Sequence, residues 1–166
     1  MEPSPTLSVQ ASLYQALCAL LTREGVSYRT VHHAPTVTSE DSARARGEDV
    51  RIGGKALVVK VGEDFRLFVL SAARKLDALA IKQHFDVQQI RFASPEELLQ
   101  LTGLVPGSIP PFGKPLLPFA LFVDASMLAN EKIAFNAGSL TDSIIMPVAD
   151  YLRIARPKVF AFSSAA

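Results

Sequence analysis

Lys55 begins the most regular alternating segment of the chain, Lys55-Ala-Leu-Val-Val-Lys-Val-Gly62, and well downstream comes Pro106-Gly-Ser-Ile-Pro-Pro-Phe-Gly113. A lysine at a strand mouth, beside a loop stiffened by glycine and proline, can stabilise developing negative charge with neither metal nor thiol. Pro110 and Pro111 lack an amide hydrogen, so nearby carbonyls lose their usual donors and can turn toward a substrate amine or a water. The amides of Gly107 and Ser108 can face an oxyanion. Gly53-Gly54, just before Lys55, permits close approach of backbone or ligand. A third segment, Phe135-Asn-Ala-Gly138, supplies a compact amide: Asn136 offers a donor and an acceptor, and Gly138 leaves space beside it. Each segment also has a plainer reading. Strand-start lysines are usually solvated, and Pro/Gly clusters and Asn-Ala-Gly usually just turn the chain. By themselves the residues support a small α/β domain with a polar pocket.

Other chemistries find less support. His32 and His33 are adjacent on a strand and face opposite sides, and His84 sits late in a helix, so the three do not suggest a metal site. No Gly-x-Ser-x-Gly elbow, phosphate-binding loop or dinucleotide glycine pattern occurs. Cys18 is the sole cysteine, and Tyr14, Cys18 and Leu21 share a helical face, which reads as a core seam in a reducing compartment. No metal or organic cofactor is expected. The net charge of +1 gives no global attraction to nucleic acid. Any RNA contact must come from a local patch, for which Arg44, Arg46 and Arg51 surround the approach to Lys55.

The elements that must position these residues follow from periodicity and caps. At 166 residues the chain is expected to form one domain, with a loose tail over about 1–7. A first helix is predicted from about Ser8 to Glu24, stopped by Gly25, then a strand over Tyr28–His33 ended at Pro35. Thr38 or Ser39 caps a short helix running to Arg46. Lys55–Val61 and Phe65–Ser71 form a β-hairpin, and Leu76, Leu79, Ala80 and Phe85 draw an apolar stripe on the next helix. Gln88–Phe92 is a strand. Ser94-Pro-Glu-Glu97 carries a capping box, and Gly103 ends its helix. Strands over Phe119–Val123, Lys132–Phe135 and Ser143–Met146 precede a last helix that turns Val148, Tyr151, Leu152 and Ala155 inward. Helices and strands mix without strict alternation, so the fold class is α+β, with a mixed, largely antiparallel sheet or distorted barrel flanked by helices.

Taken together and in order, several segments resemble the YbaK/prolyl-tRNA-synthetase editing-domain family. They are Tyr28-Arg-Thr-Val-His-His-Ala-Pro-Thr-Val-Thr38, Gly54-Lys-Ala-Leu-Val-Val-Lys60, the Gly-x-x-x-Pro loop Gly107-Ser-Ile-Pro-Pro111 with Phe112-Gly113, and Ile133-Ala-Phe-Asn-Ala-Gly-Ser139. With Ala149-Asp-Tyr-Leu-Arg-Ile-Ala155, the last looks most like the free-standing YeaK-type branch. The resemblance implies a cytoplasmic, trans-acting hydrolase of the ester between an amino acid and the terminal adenosine of mischarged tRNA. A synthetase is implied as a further partner, and neither membrane nor DNA. It implies catalytic roles for Lys55, Gly107, Ser108 and Pro111, and substrate contacts from His33, Thr38, Ile109, Pro110, Phe112, Asn136, Ala137 and Gly138. In it the lysine orients the acceptor end, the loop holds the aminoacyl group, and the substrate's own ribose hydroxyl assists a water. The chain has Asn136 and Ala56 where alanine-specific members often carry His and Asn, which points to serine or threonine, with cysteinyl and alanyl esters still open. A non-catalytic module binding tRNA or a synthetase is the alternative, and a small-ligand regulatory domain a weaker one.

Overall fold

Helix α1 (Pro5–Arg23) opens the computed structural model, which describes residues 5–36 and 38–166, with side chains from residue 12 onward. Residues 1–4 of the expected tail lie outside the described residues, and the helix takes in residue 5 onward. Leu17 and Leu21 are fully buried, with Leu13, Tyr14 and Cys18 packed around them. Gly25, at φ +73°, ends the helix by turning the chain left-handed. Strand β1 (Arg29–His32) leads to α2 (Ser39–Arg46). Thr38 caps α2 by accepting from the Asp41 amide at 3.1 Å, and Gly47 closes it at φ +69°.

A single turn of 3-10 helix over Val50–Ile52 feeds β2 (Gly54–Val61), and the predicted hairpin turns at Gly62 into β3 (Asp64–Ser71). There follow β4 (Arg74–Leu76), α3 (Ala78–Phe85), β5 (Ile90–Phe92), α4 (Pro95–Thr102) and, beyond the Pro/Gly loop, β6 (Leu121–Asp124). The capping box of α4 forms as its sequence predicts, with the Ser94 hydroxyl and Glu97 carboxylate each accepting the other's amide. The chain ends in β7 (Lys132–Asn136), β8 (Asp142–Pro147), α5 (Val148–Ala155), β9 (Lys158–Phe160) and β10 (Ser163–Ala165).

These strands make open sheets in an α+β arrangement. One has the order β5-β2-β3-β6-β9, with β3–β6 and β6–β9 parallel and the other pairs antiparallel. A second is the antiparallel β1-β8-β7, and β4 pairs with β10. A parallel bridge from Gly53 to Ala134 stitches the start of β2 to β7. That bridge brings the segment before Lys55 beside the strand that carries Asn136.

Strand β3 is buried on both faces, and its alternation splits the interior. Leu67 and Val69 join the larger cluster with Leu17, Leu21, Ile133, Phe135 and Tyr151. Phe68 and Leu70 face the other way, against Val59, Ile81, Phe122 and Phe162. Phe68 stacks on Phe122 with centroids 5.3 Å apart.

Two expectations shift. The stripe predicted on α3 fails only at Leu79: Leu76, which belongs to β4, Ala80 and Phe85 pack on the inner cluster, while Leu79 is 62% exposed and Ile81 is buried instead. The helix itself starts at Ala78, with the Asp77 side chain accepting the Ala80 amide at 3.1 Å. Strands β4, β9 and β10 went unpredicted, being too short to show a period. Buried Asp124 holds the final segment down: its carboxylate accepts the Phe162 amide at 2.7 Å and the Ser163 hydroxyl at 2.7 Å. Burial pushes this carboxyl up, but the hydrogen bonds from Ser126, Ser163 and Phe162 outweigh it and hold it below the usual range.

Gly113 closes the Pro/Gly loop against the approach to β6. A Cβ there would lie 2.5 Å from the Phe119 carbonyl oxygen and 3.0 Å from Leu121 Cβ. Backbone cannot yield as a side-chain tip can. Gly113→Ala is therefore expected to cost about 2–3 kcal/mol by overpacking. On calorimetric melting it should lower Tm by roughly 4–12 °C, and an unchanged Tm would refute this close approach.

Candidate active site

Helix α2 presents Ser39, Ser42, Ala43 and Arg46 along one face, at the spacing of successive helical turns. That face looks into a cavity of about 220 Å³ whose opposite wall is the start of β2, from Gly53 to Leu57. Gly107, Ile109, Ala134 and Asn136 complete it. The structure thus brings Lys55, part of the Pro/Gly loop and the Asn136 turn to one place.

Asn136 ties the walls together. Its Nδ2 donates to the Gly107 carbonyl at 2.8 Å, fixing the loop to the end of β7. Its Oδ1 accepts from Arg46 Nη2 at 3.2 Å and lies 3.2 Å from the Ser143 hydroxyl. Ser143 Oγ also accepts from Arg46 Nε at 3.0 Å and meets His33 Nε2 at 2.8 Å. This serine–histidine contact is a strut and not a nucleophile pair, because Ser143 is fully buried. Through these bonds His33 braces Arg46 from behind.

Lys55 sits half-buried, and desolvation holds its ammonium below the usual lysine range. Its Nζ donates to the Arg74 carbonyl at 2.7 Å. By strand alternation its side chain shares the face of Leu57, Val59 and Val61, toward β4. Two further donors of the ammonium remain for a ligand.

The loop itself is internally bonded. The Ser108 amide and hydroxyl both donate to the Val105 carbonyl, at 3.2 and 2.7 Å. The Pro110 carbonyl accepts the Phe112 amide at 2.9 Å, and the Pro111 carbonyl accepts the Tyr151 hydroxyl at 2.6 Å. Among the described residues the amides of Gly107 and Ile109 make no hydrogen bond, and both residues line the cavity. Ser108, Pro110, Pro111 and Phe112 are buried beside it and do not line it.

Other sequence candidates lie behind the wall. Ala137 is in the core, and the space beside Gly138 is taken by Leu13 of α1, 3.0 Å from where a Cβ would stand. Thr38 serves as the α2 cap. Of the three arginines expected near Lys55, Arg44 is exposed and paired with Asp41, Arg51 is exposed, and Arg46 is buried in the site. Burial pushes the Arg46 guanidinium down to about 10, which leaves it cationic at neutral pH. Of the patch expected from Arg44, Arg46 and Arg51, Arg46 alone lines the cavity. The signal for it was the small-residue face Ser39, Ser42 and Ala43 on its own helix, a face suited to lining a cavity. Among the described residues no helix is long and apolar enough to cross a membrane.

Residues 33–154 match the family described as the aminoacyl-tRNA editing domain. The chain is 39% identical over 155 residues to the multifunctional Ser/Thr-tRNA deacylase ProXp-y of Escherichia coli (strain K12), covering 90% of this chain and 92% of that one. It is 33% identical over 100 residues to a proline–tRNA ligase of Shouchella clausii (strain KSM-K16), covering 60% of this chain and 17% of the ligase. A solved structure, described as a candidate trans-editing enzyme for prolyl tRNA synthetase, superposes with a TM-score of 0.79 at 22% identity over 99% of this chain and 100% of that one. The last comparison bears on the fold alone.

The loop's rigidity rests on Tyr151, fully buried and standing edge-on to Phe112 at 5.3 Å. Its phenol, held far above the usual range by burial, donates to Pro111. Tyr151→Phe keeps the ring but strands a buried carbonyl, a loss of about 1–3 kcal/mol. Urea unfolding should show a lower midpoint with unchanged m; an unchanged midpoint would mean that the hydroxyl does not brace the loop.

Proposed function

This chain belongs to the aminoacyl-tRNA editing domain family, and we propose that it is a trans-editing deacylase hydrolysing the ester of tRNA mischarged with a small amino acid. Its likeness to a Ser/Thr-tRNA deacylase across nine-tenths of the chain supports the class of substrate. The observation that carries the reading is one cavity lined jointly by Lys55, Gly107, Ile109 and Asn136. Its size suits an aminoacyl group attached to a ribose. The acceptor end of tRNA is the ligand, a synthetase is a further partner through its charged product, and the cytoplasm is the compartment.

An aminoacyl ester is already activated, so positioning and charge stabilisation do most of the work. The Lys55 ammonium leaves the Arg74 carbonyl to hold the phosphate–ribose end. The amides of Gly107 and Ile109 face the carbonyl oxygen as it gains negative charge. A water attacks the carbonyl carbon, passing its proton to the vicinal ribose hydroxyl. The carbon–oxygen bond to the ribose then breaks as that hydroxyl hands its own proton to the departing oxygen, leaving free amino acid and intact tRNA. No side chain need act as nucleophile, which fits a cavity whose serines, Ser39 and Ser42, make no hydrogen bond to a histidine among the described residues, Ser42 meeting Thr36 instead.

The purified chain, incubated with Ser-, Thr-, Ala- and Cys-charged tRNA, is expected to release amino acid from at least one of them. Lys55→Ala should slow that release at least about 100-fold while moving Tm by less than about 4 °C. A variant as fast as the wild type would remove Lys55 from the mechanism. Charged tRNA retained on a filter by the wild type, with its ester intact, would make the protein a binder and end the deacylase reading.

A further inference from the structure

Arg46 is 9% exposed, and no carboxylate lies within 4.0 Å of it among the described residues. The acids nearest in the cavity wall are already engaged. Glu48 accepts from Arg29 and Lys132, and Asp49 caps the Arg51 amide. A guanidinium withdrawn from water without a counter-charge is costly, and folding alone gives no reason to keep one. Its protein bonds, Nε to Ser143 and Nη2 to Asn136, use two of five N–H donors. No side-chain polar atom sealed from solvent lacks a partner among the described residues. Unpartnered Nη1 therefore opens on the cavity that Arg46 lines, close to Gly53, where a Cβ would be 3.5 Å away.

The neighbouring amide has the complementary constraint. Asn136 turns its oxygen into the Arg46–Ser143 network and keeps its nitrogen for Gly107. At Arg46 the cavity floor thus presents an N–H edge, with the neighbouring Asn136 oxygen already bonded to Arg46 and Ser143. Such a floor rewards a ligand atom with lone pairs and penalises a methyl group, which would displace water from the cation and return nothing. A phosphate would fit the charge, but the half-buried Lys55 serves that need, whereas Arg46 is the more withdrawn from solvent of the two. A side-chain hydroxyl on the aminoacyl group is the oxygen that reaches the floor.

We propose that Arg46 is a specificity-determining residue, whose free Nη1 edge donates to the side-chain hydroxyl of the bound aminoacyl group and so favours seryl and threonyl esters over alanyl ones. The assignment rests on the deacylase reading above and adds to it the group that makes the distinction. Asn136 and Ser143 act as positioning residues that hold the guanidinium plane.

The test compares kcat/KM on Ser-, Thr- and Ala-charged tRNA for wild type, Arg46→Gln and Arg46→Lys. Binding of the non-hydrolysable 3′-seryl-amino and 3′-alanyl-amino analogues of adenosine is measured alongside. The Ser/Ala and Thr/Ala ratios should fall roughly 10- to 100-fold in Arg46→Gln, the scale of a charged hydrogen bond, and the gap in analogue affinity should narrow in parallel. Arg46→Lys keeps a cation in place, guards against a folding failure, and should recover part of the ratio. Ratios within twofold of wild type, or equal losses on all three tRNAs, would overturn the role of Arg46 while leaving the deacylase reading intact. A wild-type chain inert on every charged tRNA would instead end the deacylase reading, and this assignment with it.

Discussion

The tie between Asn136 and Gly107 is the constraint on which the site depends. Without it, the Pro/Gly loop would be anchored from behind, by the Tyr151 hydroxyl on Pro111, the burial of Ile109 and Phe112 and the turns within it, with no hydrogen bond from Asn136 to its cavity side. With it, a loop that runs between α4 and β6 is held to the end of β7, and the second side of the amide recruits α2 through Arg46. Helix, loop and two strands of a different sheet thus share one side chain. A carboxamide suits the task because it donates on one edge and accepts on the other without adding charge.

The cost of this arrangement is concentrated in two cations. Lys55 and Arg46 are both drawn below their ordinary basicity by burial, and neither faces a carboxylate among the described residues. Elsewhere the fold treats charge conventionally: Arg91 grips Glu97 at 2.7 Å on the surface, and buried Asp124 is surrounded by donors. Departures from that practice cluster at the cavity, where local stability is given up for an unfilled capacity to bind.

Much of the fold was legible where local chemistry decides. The capping box of α4, the Gly62 hairpin and the Gly47 stop are short-range signals, and each element formed where its residues place it. Leu79 of α3 shows the limit, since an apolar residue expected inward stands exposed while Ile81 takes the buried place. For β9 and β10 the cause is tertiary: their three residues are held by Asp124 and by partner strands distant in sequence. At the site, Lys55, Gly107, Ile109 and Asn136 were legible from residue type and setting. Arg46 was legible only as one of three arginines near Lys55, because a sequence shows that an arginine is charged but not whether it is buried or whether a carboxylate waits nearby. Gly138 misled in the same way, for the gap it leaves is filled by Leu13 from the far end of the chain.

The Ser143 hydroxyl has one hydrogen and two claimants for it. His33 Nδ1 stands 2.8 Å from the Ala34 carbonyl, which can only accept, so that nitrogen carries a proton. In the neutral imidazole Nε2 is then a lone pair, and the serine proton points to it, leaving Arg46 as sole donor to the amide oxygen. In the imidazolium both ring nitrogens donate, and the serine rotor must swing its proton to Asn136. Whether a partly solvated ring carries one proton or two therefore sets the orientation of dipoles behind the floor of the pocket, with no atom heavier than hydrogen having to move.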